Sequence, residues 1–337
     1  MKEYIYSILK KLFSDNLDKR REFESIFIPQ FLEKNIKIID FSEFKDDYRI
    51  YFEKYVKDRY LRDKILSSLV DSFKISKKIT FTELFQDKLF VLLFSPTVNP
   101  LEFFHYTSFD SAISILQSKA LRLSGIAGLN DKSETYYSDY LLNKNIINPF
   151  HHTRISSFNS RFILSNSLNK DELNQWRLYG DNGCGVCLEF EKTLTKNDYL
   201  FVFGKIAYGD SIFRIFSELI QGLITKYNSL AIFNQLDIWK NFVKHFDYQQ
   251  ENELRVLFYN RKKYGKTNEL HFRKNSFGIF SPYVEFAFND LPFNLKTIRL
   301  GPKCPDQELN KAQLRYYLNS NSMHDIKIEI SKKTHYR

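Results

Sequence analysis

The chain has 337 residues, 43% of them hydrophobic and 27% charged, with a formal net charge of +10. That balance excludes a disordered or fibrous chain and leaves room for one large or two modest globular domains. Three cysteines (Cys184, Cys187 and Cys304) exclude a disulfide framework in a chain of this size, and the basic surplus favours an anionic partner: nucleic acid, dinucleotide or acidic protein.

At the N-terminus Lys10, Lys11, Asp15 and Asp18 interrupt any signal-like apolar run, and the apolar stretch Leu89 to Phe94 is too short to span a bilayer. These features predict a cytoplasmic protein without membrane association. Residues 1–97 read as a helical domain with a sensing or regulatory role. Phe44, Tyr48, Tyr51 and Tyr55 recur at helical spacing, and Thr80-Phe81-Thr82-Glu83 reads as a capping box that opens a helix through Phe94. Pro96 and Pro100 then end any helix and mark a domain boundary.

Beyond Pro100 the texture changes. Strands are predicted at 102–106, 120–124, 161–166, 184–190, 203–208, 252–259, 283–288, 296–300 and 325–330. Helices are predicted at 109–118, 171–178, 210–226, 229–246 and 306–319, with Ile212, Phe216, Leu219 and Leu223 striping the third. The fold class is therefore α+β: a helical N-terminal region followed, over 101–337, by a mixed α/β domain.

Three clusters carry candidate chemistry. His105-Tyr106-Thr107-Ser108 closes an apolar strand and opens a helix; Thr107 or Ser108 suits the cap, whereas His105 stands where an apolar residue is expected. Trp176, Arg177 and Tyr179 precede a glycine-rich turn and offer two flat rings and a planar cation to a nucleotide, or else a core tryptophan at a hairpin entry. Glu251, Glu253 and Arg255 share one face if 251–257 is a strand, which places a carboxylate pair beside a guanidinium, or else forms a solvated charged edge. Cys184 and Cys187 alternate to opposite strand faces and lack a second ligand pair, and His151-His152 has no spaced partner, so no metal site is expected. No phosphate-binding loop, dinucleotide glycine fingerprint or nucleophile elbow is present. Short basic clusters such as Arg261-Lys262-Lys263 and Lys332-Lys333 read as solvated loop ends.

In order, Phe104-His105-Tyr106-Thr107-Ser108, Leu121-Arg122-Leu123-Ser124, Leu129-Asn130-Asp131-Lys132-Ser133-Glu134, Trp176-Arg177-Leu178-Tyr179-Gly180 and Gly185-Val186-Cys187-Leu188 resemble a widespread bacterial domain family of unknown function. Glu251-Asn252-Glu253-Leu254-Arg255, Leu300-Gly301-Pro302-Lys303 and the closing Tyr336-Arg337 continue the resemblance, which covers 101–337. The pattern is also similar, more distantly, to ADP-ribosyltransferases, including DNA-targeting toxins. That resemblance implies a split, bent sheet and NAD as substrate. It implies ribose contact for His105, nicotinamide packing for Tyr106, Trp176 or Tyr179, and a site contribution from Thr107. Glu253 becomes the catalytic carboxylate with Glu251 as its rival, while Arg177 and Arg255 pair with pyrophosphate or orient Glu253. The activity implied is that of a toxin or anti-phage effector that modifies a nucleic acid or a protein. A nucleotide- or nucleic-acid-binding module without catalysis and an NAD glycohydrolase are the alternatives.

Overall fold

A computed structural model describes residues 1–40, 76–96, 100–126, 161–193, 200–233, 235–259, 268–274, 278 and 280–333. The aromatic stripe at Phe44–Tyr55, the Leu129–Glu134 motif, His151-His152, Arg261–Lys263 and the closing Tyr336-Arg337 lie outside the described residues. In chain order the first elements are α1 (Lys2–Lys10), α2 (Leu17–Ile26), α3 (Pro29–Asn35), β1 (Ile36–Asp40), β2 (Lys77–Phe81) and α4 (Glu83–Phe94). Then come β3 (Glu102–Thr107), α5 (Phe109–Ser118), β4 (Ala120–Gly125), β5 (Arg161–Ser167), α6 (Leu173–Leu178), β6 (Val186–Lys192) and β7 (Phe201–Lys205). The middle holds β8 (Ala207–Tyr208), α7 (Ser211–Tyr227), β9 (Ser229–Ile232), α8 (Leu236–Trp239) and β10 (Val243–Lys244). The last are β11 (Glu253–Tyr259), β12 (His271–Lys274), β13 (Phe280–Ala287), β14 (Phe293–Leu300), α9 (Gln307–Ser320) and β15 (Lys327–Ile330). The chain is a mixed α/β protein, and no helix among the described residues is long and apolar enough to cross a membrane.

The chain divides into two compact units, and neither is contiguous. The first comprises 1–95, 131–157 and 207–246, and the second 96–130, 158–206 and 247–337. Residues 207–246, which the sequence reading assigned to the C-terminal domain, thus cluster with the N-terminal residues. The reason is pairing: β9 adds in parallel to β2, which is antiparallel to β1. The expectation of an all-helical first domain is corrected accordingly, because the short alternating strands Ile36–Asp40 and Lys77–Phe81 sit between its helices. The predicted helix at 229–246 is likewise replaced by β9, the single turn α8 and β10. Asn228, at φ 49, ends α7, and short apolar runs of this kind carry no period that separates strand from helix.

Local signals account for the helices of this unit. Thr82, not Thr80, caps α4 by accepting the Phe85 N–H at 3.2 Å, since Thr80 is committed to β2. α7 buries Phe213, Phe216, Leu219 and Leu223, and Gly222 on it lets α1 approach, because a Cβ there would collide with the Tyr4 ring. The core is aromatic: Phe81 stacks on Phe233 at 4.1 Å, and Trp239 packs on Phe216 at 5.4 Å.

The second unit is built on one large sheet in the order β12-β13-β4-β5-β3-β6-β14-β15, with β11 on β5 and β7 on β11. All pairings are antiparallel except β14 with β15. One side of the sheet forms the hydrophobic core: Phe103, Leu121, Leu123, Leu164, Leu188, Leu254, Val256 and Ile298 pack with Ala112 and Leu116 of α5 and Leu314 and Leu318 of α9. Alternation sends Phe104, Tyr106, Ser165, Ser167, Cys187, Glu189, Glu253, Arg255 and Arg299 to the opposite side. The candidate chemistry lies largely on that polar side.

Candidate functional site

β5 organises the site because three strands share it. One edge pairs with β11 along its whole length, from Arg161↔Tyr259 to Ser167↔Glu253. On the other edge Phe162 and Ile163 pair with Gly125 and Ser124 of β4, whereas Ser167 pairs with Phe104 of β3. Leu164, Ser165 and Asn166 lie between these pairings with no strand partner on that edge among the described residues. The sheet is split there.

His105 occupies the split. Its Nδ1 lies 3.2 Å from the Ser165 carbonyl oxygen. A carbonyl only accepts, so Nδ1 carries the proton and Nε2 presents a lone pair. Burial holds the imidazole pKa below its ordinary value, with the Ser165 carbonyl and the Asn166 side chain opposing that trend, so the ring is neutral at neutral pH. Asn166 is buried, and its Nδ2 donates to the Leu164 carbonyl at 3.1 Å.

Glu253 begins β11, in line across β5 with Phe104. Two strand spacings separate those backbones, about 10 Å. Alternation turns Glu253 to the side of Phe104 and Tyr106, and His105 to the other, so the two candidates flank the split from opposite sides of the sheet. Arg255 lies two residues along the same face and donates from Nε to Glu253 Oε1 at 2.7 Å and from Nη2 to Oε2 at 3.3 Å. Both side chains are buried.

Glu251 does not share that strand face. It ends a 3₁₀ turn, Phe246–Glu251, and Asn252 at φ 42 reverses the backbone before β11 begins. Its carboxylate accepts the Tyr179 hydroxyl at 2.7 Å, and its carbonyl accepts Ser167 Oγ at 2.8 Å and Gln175 Nε2 at 3.1 Å. The two glutamates are thereby sorted, one buried on the sheet and one at the surface beside α6.

Trp176 is not an open stacking platform. It is fully buried, donates from Nε1 to Asp171 Oδ1 at 2.8 Å and meets Tyr106 edge-to-face at 4.9 Å. Tyr106 donates to the Asn169 carbonyl at 2.7 Å and accepts the Glu172 N–H at 3.1 Å, and burial beside Cys187 pushes its phenol far above the usual range. Both rings are core and position α6. Tyr179 and Arg177, the other members of the cluster, are exposed. Thr107 closes β3 opposite Val186, while Ser108 caps α5 by accepting the Ser111 N–H at 3.2 Å. The glycines of this motif serve close approach: a Cβ on Gly180 would lie 2.5 Å from the Trp176 ring, and one on Gly185 would strike the Thr107 carbonyl.

Two polar centres escaped sequence reading. Asp171, at φ 48, accepts Trp176 Nε1, Ser331 Oγ (2.6 Å) and the Lys332 N–H (2.9 Å). Burial pushes its carboxyl up, but these three donors win and hold it below its ordinary value. Glu189 and Arg299 form a buried pair at 2.6 Å, joined by Lys170 at 3.0 Å and by Glu329. Arg299 was legible as a charge alternating with the core residues Ile298 and Leu300; Asp171 had no periodic signal. Among the described residues no group of three or more His, Cys, Asp or Glu is arranged to hold a metal ion.

Comparison with curated proteins and with solved structures finds no match. A family model described as "Protein of unknown function (DUF2971)" matches residues 175–256. The matched span runs from α6 to β11, so it holds Trp176, Arg177, Tyr179, Glu251, Glu253 and Arg255, and a DUF2971 domain is found in this part of the chain.

Proposed function

We propose that the second unit is an NAD-consuming ADP-ribosyltransferase in which Glu253 stabilises the ribosyl cation. One observation carries the reading: a buried carboxylate, hydrogen-bonded to Arg255, stands one strand away from a split in the sheet that a neutral histidine fills. Cleavage of the C1′–N bond of NAD sends the bonding pair to the pyridinium nitrogen, and nicotinamide leaves neutral without needing a proton. The reaction therefore needs a carboxylate anion near C1′, orientation and exclusion of water, rather than an acid. An acceptor oxygen or nitrogen then bonds to C1′ and releases its proton. Neutral His105 offers Nε2 to a ribose hydroxyl across the split, from the side opposite Glu253. Exposed Arg177 suits the pyrophosphate, and Tyr179, beside Glu251, supplies the accessible ring.

A second reading, a nucleotide-binding module without catalysis, draws support from the depth of Glu253, which is 4% exposed. Incubating the full chain with NAD, with and without nucleic acid and protein acceptors, separates the two. Nicotinamide release that falls at least ~100-fold in Glu253→Gln is expected. No release by the wild-type chain, or full release by Glu253→Gln, sinks the transferase reading. Release without any labelled acceptor identifies a glycohydrolase.

A further inference from the structure

The wing of the large sheet formed by β12, β13 and β4 carries a cationic and aromatic face whose two arginines are exposed. Register aligns His271, Tyr283 and Ser124 across the three strands, with Arg273 opposite Ser281 and Glu285 opposite Arg122. The reverse side of this wing holds Leu121, Leu123, Val284 and Phe286, all in the core. The face is therefore the continuation of the side that bears Glu253: the row runs on through Ile163 to Leu257, four residues along β11 from Glu253. On strand spacings the distance from Tyr283 to Glu253 is on the order of 20 Å.

His271 stacks on Tyr283 with ring centres 5.3 Å apart and planes at 30°. The guanidinium groups of Arg122 and Arg273 lie over the Tyr283 ring at 5.2 and 5.6 Å. Glu285 steadies Arg122 through a 2.6 Å hydrogen bond, and Arg273 reaches Ser124 Oγ at 3.4 Å. Arg122 and Arg273 remain exposed, and His271 and Tyr283 are half-buried. At the same sheet edge, on the reverse side, Phe272 and Phe280 stack at 5.3 Å and are 53% and 72% exposed. A charged edge strand suffices to block edge-to-edge pairing; planar rings under exposed planar cations exceed that need.

We infer that this face docks single-stranded nucleic acid and presents it as the acceptor; the acceptor role rests on the transferase reading above. A base stacks on His271, and Arg122 and Arg273, held over the Tyr283 ring, take phosphates. A duplex hides its base faces from such a platform. An acidic peptide would engage the cations and leave the rings unused.

The test is fluorescence anisotropy on the full chain with labelled oligo-dT and oligo-U of about 12 nucleotides and a duplex of the same length, from about 50 mM salt upward. Single strands are expected to bind at least ~10-fold more tightly than duplex, with affinity falling steeply as salt rises. Arg273→Glu and His271→Ala are each expected to weaken single-strand binding by ~10-fold or more with the fold retained by circular dichroism. Absence of single-strand binding at low salt, equal binding of duplex, wild-type affinity in both variants, or equal competition by polyglutamate each overturns the inference. Nicotinamide release from NAD alone is read on the same wild-type preparation. Release without oligonucleotide binding overturns this inference and leaves the transferase standing. Binding without release removes the transferase and the acceptor role and leaves the docking face.

Discussion

Arg255 holds Glu253 with two nitrogens, at 2.7 and 3.3 Å, from a position two residues along the same strand face. The pair is buried, so each charge depends on the other. Arg255→Ala is expected to cost ~3–5 kcal/mol because it removes a buried carboxylate's charge partner, whereas replacing both residues with apolar ones of similar size should cost much less. Urea unfolding of the two singles and the double measures this; additive losses would show that the pair is not coupled.

His105 gives the chain a pH dependence of defined sign. Its folded-state pKa lies below the ordinary value of about 6.5. The unfolded chain therefore binds the proton more readily, and stability present at pH 7.5 falls as pH drops below about 6.5. His105→Gln should flatten that part of the stability profile. Protonation also removes the Nε2 acceptor, so NAD affinity should weaken as pH falls through the lower folded-state value. Equal slopes for wild type and variant between pH 7.5 and 5 would refute the assignment.

Asp171 behaves in the opposite sense. Its carboxyl is held below its ordinary value, so its contribution is full above the unfolded-state pKa of about 4 and is lost as pH falls through the folded-state value. Asp171→Asn should destabilise the chain at neutral pH by about 1–3 kcal/mol, with the gap to wild type narrowing below pH 4. Trp176 fluorescence should report the loosened indole contact, and an unchanged emission spectrum would argue against it.

A fragment limited to residues 101–337 should aggregate. It retains α7, with Phe213, Phe216, Leu219 and Leu223, but lacks α1, β2 and α4, and so loses its packing partners. At about 1.5–3 kcal/mol for each buried large side chain left exposed, the loss exceeds typical margins of stability. A monomeric, cooperatively melting fragment by light scattering and calorimetry would contradict the division into interleaved units.

Much of this architecture was legible. The helix at Phe109–Ser118 could be read because Ser108, Ala112 and Leu116 satisfy capping and period together. β11 was visible because Leu254–Tyr259 is a short apolar and aromatic run broken only by Arg255. What could not be read came from contacts distant in sequence. Nothing local in Ser229–Ile232 indicates that it extends a sheet begun at Lys77. Trp176 reads equally well as a ligand platform and as core until Asp171 and Tyr106 are seen to enclose it. Glu251 and Glu253 seemed to share a face because the left-handed turn at Asn252 has no signature beyond the asparagine itself.

The parallel pairing of β2 with β9 has a consequence for biosynthesis. During translation the strand at Lys77 emerges on the order of ten seconds before the strand at Ser229 that completes its sheet. Throughout that interval the early strand has an unsatisfied edge, and loop closure over so long a separation is intrinsically slow. The nascent chain must pass through two of the three segments of its other unit before its first can close, which exposes it to chaperone capture at a stage when neither unit is complete.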